Sequence, residues 1–259
     1  MSETPERIQK LKTLLDGCQG VILDFDGLIA DSEPFHYRAY NEVFERYGHR
    51  IDPDEYWVEF TSKGKGLQGE IDRYNLKLDV KPEEMRQQKF EIYSRFCQNG
   101  DIKLFPEARP FIEGLNGRFK VAIASGSWTH DIRAILKNEQ ADSLIQTVLG
   151  KDPPRPEKPA PDIFLDTARE LNLPPEQCVV VEDALKGLTA AREAGMACVI
   201  VRNRLNQNID FTGADLEGCN FEKANLARAK LGGANLSGVN FTEANLAEAD
   251  LSGARIDGS

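Results

Sequence analysis

Four short apolar runs constrain this chain more than any other feature of it: VILDF (21–25), KVAIAS (120–125), CVVVE (178–182) and ACVIV (197–201). Each is bounded by turn or charged residues and is apolar without alternation, the pattern of a strand covered on both faces. A fifth run, IQTVLG (145–150), is a weaker example. PDIFLDTARELN (161–172) and ALKGLTAAREAG (184–195) have helical apolar spacing, with Pro or Gly close beyond the end. The alternation predicts an α/β core with a parallel sheet and right-handed crossovers. Residues 32–100 hold no comparable strand run. EPFHYRAYNEVFERYG (33–48), GLQGEIDRYNL (66–76) and PEEMRQQKFEIYSRFC (82–97) instead predict a helical subdomain inserted after the first strand.

The end of the chain obeys a different rule. From Ile209 to Gly258 it divides into ten pentapeptides centred on Phe211, Leu216, Phe221, Leu226, Leu231, Leu236, Phe241, Leu246, Leu251 and Ile256. A small or aliphatic residue stands two positions before each centre, and mostly Asn or Asp one before. A period of five fits neither a helix nor a strand. The regular glycines (213, 218, 233, 238, 253, 258) also argue against an alanine-rich helix. The segment resembles the pentapeptide-repeat family, which implies a short right-handed, four-sided β-solenoid over 209–258. The 20 residues at the other end are polar, with Leu and Ile at helical spacing, so 1–19 is expected to be an N-terminal helix.

Apolar residues make up 41% of the 259 residues and charged ones 29%, as in an ordinary globular protein. A net charge of −10 disfavours non-specific binding to nucleic acid or anionic membrane, which needs clustered Lys and Arg. No apolar run approaches the ~20 residues of a membrane helix. The five scattered cysteines read as reduced thiols of a cytoplasmic protein.

Four segments carry chemistry. Asp24-Phe25-Asp26-Gly27 follows the first apolar run, and sites in open parallel sheets form at the carboxyl ends of strands. One carboxylate can accept a phosphoryl group and a second can act as acid and base. A solvated acidic loop is the plainer reading, since Asp52-Pro53-Asp54 is another such triplet with no strand before it. Ala124-Ser125-Gly126-Ser127 offers hydroxyls and backbone N–H groups to an anion, or merely starts a helix. Lys158, in the proline-stiffened loop PPRPEKPAPDIF, is a point charge suited to phosphate, or a solvated linker lysine. Glu182-Asp183 ends the CVVV run with hard oxygen donors suited to Mg²⁺, unless Asp183 is only a helix cap.

In this order, DFDGLIADSE, IASGS, EKPAPDIF and VVVEDALKGLTAAREAG resemble the four motifs of the haloacid dehalogenase-like superfamily, over about 20–205. The resemblance implies a Rossmann-like catalytic core (20–31 and 101–205) and a helical cap (32–100). It implies that Asp24 is the phosphorylated nucleophile and Asp26 the general acid/base. Ser125, Gly126 and Lys158 would bind the phosphoryl group. Asp24, the backbone carbonyl of Asp26, Glu182 and Asp183 would hold Mg²⁺. Such a cap favours a small phosphorylated metabolite and shields the acyl phosphate from water.

Within the superfamily the sequence is similar to the group around β-phosphoglucomutase and the phosphosugar phosphatases. His36 stands where the mutase has a histidine linking cap closure to acid/base action, and Lys89 falls near a cap lysine, so the resemblance implies that both bind substrate; both have plainer readings as a half-buried and a solvated helix residue. The mutase also has a cap arginine gripping a distal phosphate. Here, in SKGKGLQGEI (62–71), Leu67 or Gly69 falls at that place, leaving Lys63 or Lys65 as substitutes. The departure favours a Mg²⁺-dependent phosphosugar phosphatase over a mutase. The tail, with eight acidic and four basic residues over 209–258, spans only ~12 Å of solenoid, too short to mimic DNA. It reads as a packing module, or as a contact with a protein partner or a second copy. An interaction protein working through the solenoid is the alternative of another class. Asp210–Leu216 also fits as the acidic segment and last strand of the catalytic domain, which blurs the boundary at 206–216.

Overall fold

The computed structural model describes residues 17–56, 59–60, 65–201, 203, 206, 211–212, 214 and 216–217. Six parallel strands form one sheet: β1 (Gly20–Leu23), β2 (Lys120–Ala124), β3 (Thr147–Leu149), β4 (Cys178–Glu182), β5 (Ala197–Ile200) and β6 (Leu216–Glu217). Their order is β3-β2-β1-β4-β5-β6, so β1 is central, with Ile22 level with Ala122 on one side and Val180 on the other. The chain reverses its direction of build across the sheet between β1 and β4, where open α/β sheets place their sites.

The apolar runs form strands because both faces are covered. Val21, Leu23, Val121, Ile123 and Val181 face a cluster that continues into the inserted helices. Ile22, Ala122, Ala124, Val180, Cys198 and Ile200 face the other, with Ile163, Phe164 and Leu188 of the following helices. Each Val, Leu, Ile or Phe among them, removed from water, contributes about 1.5–3 kcal/mol. The weak run at 145–150 is a strand of three residues at the sheet edge, where it pairs with β2 alone.

The inserted region holds three main helices, α1 (Glu33–Glu45), α2 (Gly66–Tyr74) and α3 (Pro82–Asn99), with a single turn at Pro53–Glu55. Prolines in the first turns of α1 and α3 supply helical φ where no N–H partner is needed. Gly100 in the left-handed conformation ends α3. The core adds α4 (Ala108–Leu115), α5 (Thr129–Asn138), α6 (Asp162–Glu170) and α7 (Leu185–Glu193).

At the N-terminal end the chain departs from the sequence reading, and at the other it follows the alternative in which the segment ending at Leu216 supplies the last strand. The expected N-terminal helix lies outside the described residues up to position 16. Residues 17–19 are not helical: Gln19 donates its N–H to Gln177 and is already aligned with the sheet. Most of the expected solenoid also lies outside the described residues. Of its first two repeat centres, Phe211 is fully buried against Ile22, Val180 and Ile200, and Leu216 pairs with Val199 in β6. Those two centres serve the sheet.

Candidate active site

Strand β1 stops at Leu23, so Asp24 is the first residue beyond its carboxyl end. Its N–H donates to the Val181 carbonyl at 2.9 Å, which fixes the residue between the ends of β1 and β4. Lys158 reaches the same place from the loop before α6. Its Nζ donates to Asp24 Oδ1 at 2.6 Å, to Glu182 Oε1 at 2.7 Å and to the Ala124 carbonyl at 3.0 Å. Burial would lower the lysine pKa, but Asp24 and Glu182 raise it well above the usual value.

Glu182 ends β4 and is buried. Its second oxygen accepts the N–H groups of Asp183 and Ala184 at 3.0 and 3.1 Å. Room for this comes from Gly187: a Cβ there would lie 1.9 Å from the Glu182 carboxylate. Asp183 does not cap α7, whose N-cap is Ala184, without a side-chain hydrogen bond. Its carboxylate turns toward Asp24 and lies against Gly27, where a Cβ would stand 3.3 Å from Asp183 Oδ2.

Asp24, Glu182 and Asp183 each offer an oxygen, all within 4.8 Å of one another. Lys158 offsets only part of their charge. Burial and the neighbouring Glu182 push the Asp24 carboxyl up to about 7, against the pull of Lys158. Burial, Glu182 and Asp24 push Asp183 well above the carboxylate range. Buried carboxylates that repel one another are a site short of positive charge, and an all-oxygen donor set fits a hard cation such as Mg²⁺.

Asp26 sits in a web of donors. Oδ1 accepts from Ser32 Oγ at 2.7 Å, Tyr93 Oη at 3.1 Å and His36 Nε2 at 3.3 Å. Oδ2 accepts from Ser127 Oγ at 2.7 Å and Ser125 Oγ at 3.0 Å. Burial alone would raise this carboxyl, but His36, Ser127 and Ser32 hold it well below the usual range. The carboxylate is held ionised.

The inserted helices complete the web. Lys89 Nζ lies 2.8 Å from His36 Nδ1, and the imidazole stacks on Tyr93 with centroids 3.9 Å apart. An ammonium donating to Nδ1 leaves the proton on Nε2, aimed at Asp26. Lys89 is 4% exposed, among Tyr40, Phe90 and Tyr93. It is therefore not the solvated lysine its charged helix suggests.

Every site residue expected from sequence thus falls at one end of the sheet or on the cap above it. Ser125 donates to Asp26 rather than standing free, while Gly126 beside it is exposed with open space around its Cα. Sequence reasoning did not single out Ser32, Tyr93 or Asn203, and gave Ser127 no role of its own. Ser32 and Ser127 lie inside quoted motifs, and Tyr93 is one helical turn from Lys89. Asn203, which donates to Asp183 Oδ2 at 2.8 Å, has no local signal.

A family model described as haloacid dehalogenase-like hydrolase matches residues 18–195. Pentapeptide repeats match 207–242 and 224–259. The chain is 29% identical to Protein CbbY of Cereibacter sphaeroides over 76% of this chain and 90% of that one. It is 32% identical to the fructose-1-phosphate phosphatase YqaB of Escherichia coli, over 71% and 96%. The crystal structure of CbbY from Rhodobacter sphaeroides in complex with xylulose-1,5-bisphosphate, 27% identical, superposes with a TM-score of 0.66 over 77% of this chain and 93% of that one. An aspartate at the end of the central strand and a lysine bridging two carboxylates therefore accompany a match that spans most of the chain. The chain belongs to the haloacid dehalogenase-like hydrolase family, as one of its phosphatases.

Proposed function

We propose that this phosphatase hydrolyses small phosphosugars through a phosphoryl group carried transiently on Asp24. The observation that carries the reading is Lys158, whose Nζ joins Asp24 and Glu182 at 2.6 and 2.7 Å beside Asp183. That ammonium can neutralise a phosphoryl oxygen while holding the nucleophile in line. Mg²⁺ would be held by Asp24, Asp183, the backbone carbonyl of Asp26 and the charge of Glu182, whose own oxygens already accept from Lys158 and two amides. When bound it supplies the positive charge that lets a carboxylate approach a phosphate dianion.

In the first half-reaction an Asp24 oxygen bonds to phosphorus as the bond from phosphorus to the sugar oxygen breaks. That oxygen takes a proton from the Asp26 carboxyl. In the second, Asp26 as carboxylate takes a proton from water. The resulting oxygen bonds to phosphorus and Asp24 is released with inorganic phosphate. The web around Asp26 suits the second half, because it holds the carboxylate ionised. For the first half Asp26 must exchange part of that web for a proton. That proton is the one Asp26 takes from water in the preceding turnover, and Ser125, which donates to Asp26 at 3.0 Å, can turn its hydroxyl to the substrate while Asp26 holds it.

A sugar phosphate is the substrate class because one relative is a fructose-1-phosphate phosphatase and another was solved with xylulose-1,5-bisphosphate. Hydrolysis is favoured over a mutase reaction by the cap. Leu67 is buried there at 2% exposure, and Lys65 is ion-paired with Glu59 at 3.1 Å. Among the described residues of that stretch, Lys65 is thus engaged within the protein; Lys63, the other substitute, lies outside the described residues. The pentapeptide segment we assign to contact with a protein partner or a second copy.

The test is release of inorganic phosphate by the full chain from a panel including fructose 1-phosphate and xylulose 1,5-bisphosphate, with and without Mg²⁺. Rapid acid quenching should recover phosphate on the peptide holding Asp24, and Asp24→Asn should lose both signals. Failure of the whole panel in Mg²⁺ would overturn the reading. Isomerised sugar phosphate appearing faster than free phosphate would favour the mutase.

A further inference from the structure

The segment between β5 and β6 approaches the carboxylates from a side that the four motifs do not include. Asn203 donates its side-chain amide to Asp183 Oδ2 at 2.8 Å. Asn206, 3% exposed, donates its own to the Asp183 backbone carbonyl at 2.8 Å and to the Val201 carbonyl at 2.9 Å. The two asparagines also lock each other. The Asn203 N–H donates to Asn206 Oδ1 at 2.9 Å, and the Asn206 N–H to Asn203 Oδ1 at 3.2 Å.

This reciprocal lock settles which way each amide points. Both side-chain oxygens are used within the turn, so both NH₂ groups are turned outward onto Asp183. One holds its carboxylate and the other its main chain. The turn is itself anchored on both sides. Val201 N–H donates to the Glu182 carbonyl at 2.8 Å, and beyond the turn Phe211 is buried and Leu216–Glu217 joins the sheet.

We propose that Asn203 and Asn206 are positioning residues for Asp183, fixing its carboxylate in the orientation that binds the divalent cation. The proposal rests on the reading of Asp183 as a ligand of Mg²⁺. Partners of this kind orient a ligand without touching the ion, and losing one typically costs about 10- to 100-fold in metal affinity. The turn that holds Asp183 ends one residue before the pentapeptide match, which begins at 207.

The test is calorimetric titration of Mg²⁺ into the full-length chain, its Asn203→Ala and Asn203→Asp variants, and Asn206→Ala, each checked by circular dichroism. Asn203→Asp is nearly isosteric and replaces the donor facing Asp183 by an acceptor, so it keeps the test valid if an alanine variant misfolds. Dissociation constants raised about 10-fold or more in Asn203→Ala and Asn203→Asp are expected, with Asn203→Asp the weaker of the two. Wild type that binds Mg²⁺, with variants within twofold of it, would overturn the positioning role alone. Tighter binding by Asn203→Asp would also overturn it, by making 203 a place for a direct ligand. Wild type with no Mg²⁺ binding would instead overturn the ligand reading on which the proposal stands.

Discussion

Lys89 Nζ lies 2.8 Å from Nδ1 of His36. Fifty-three positions apart in sequence, the two join helices α3 and α1 of the cap and deliver a proton-bearing Nε2 to Asp26 in the core. The arrangement costs stability. Burial pushes the Lys89 ammonium from 10.5 down to about 8, although Asp26 and Glu33 pull it up. Below pH 8 both folded and unfolded chains carry the proton and the penalty is fully present, on the order of 3 kcal/mol. Between about 8 and 10.5 the unfolded chain binds more protons, so this penalty fades as pH rises. Lys89→Met should therefore raise Tm at pH 7, net of about 1 kcal/mol for the lost hydrogen bond, and the gain should shrink toward pH 10. Thermal melts across that range check the sign; a lower Tm at pH 7 would refute it.

His36→Ala should lower kcat about 10²-fold with little change in KM, because its imidazole contacts Asp26, the proposed acid/base. Steady-state kinetics on a hydrolysed phosphosugar decide this. An effect confined to KM would place His36 against the substrate instead.

Gly187→Ala adds one methyl group far from the nucleophile in sequence, yet its Cβ would stand 1.9 Å from the Glu182 carboxylate. Glu182 must then leave its seat on Lys158 and the amides of Asp183 and Ala184. The expected outcome is a loss of about 1–3 kcal/mol in unfolding free energy together with a loss of turnover. Denaturant melts and phosphate release should report both. An unperturbed, fully active variant would show that α7 yields easily.

Phe211→Ala tests where the catalytic domain ends. Phe211 falls inside the pentapeptide match but is fully buried in the sheet's core. The substitution should cost about 3–5 kcal/mol, the amount for a buried aromatic. A cost below 1 kcal/mol would place the residue outside the domain's cooperative unit.

Removal of divalent metal should abolish turnover, and Mg²⁺ should restore it. Added Mg²⁺ should also raise Tm, because an ion bound only by the folded chain stabilises it by about 2.7 kcal/mol at 100-fold its Kd. A Tm indifferent to saturating Mg²⁺ would mean that Asp24, Glu182 and Asp183 do not bind it.

Much of this molecule is local, and local features are legible. The apolar runs became strands because each is covered on both faces, and Asp24 stands at a strand end because VIL precedes it. Lys158 and Asp183 were readable for the same reason: each lies within a motif whose spacing to the next strand or helix is fixed. The family match over residues 18–195 falls on those motifs. The weak run at 145–150 forms only a three-residue strand because an edge strand pairs on one side, and 17–19 are not helical because Gln19 is recruited by Gln177 from another part of the chain.

What no local pattern contained is the set of contacts that cross the chain. Asp26 gathers Ser32 and His36 from α1 and the turn before it, Tyr93 from α3, and Ser125 and Ser127 from beyond β2. Lys89 is buried although its helix reads as charged, and Phe211 belongs to the sheet although its period reads as repeat. The sequence by itself determined the sheet, the order of the four motifs and the place of Asp24 at a strand end, because strand patterning and chain direction depend on near neighbours. Tertiary structure alone decided that Asp26 is clamped in its ionised form and that Asp183 is held by Asn203. Charge and hydrogen bonding act across space, and burial sets their strength.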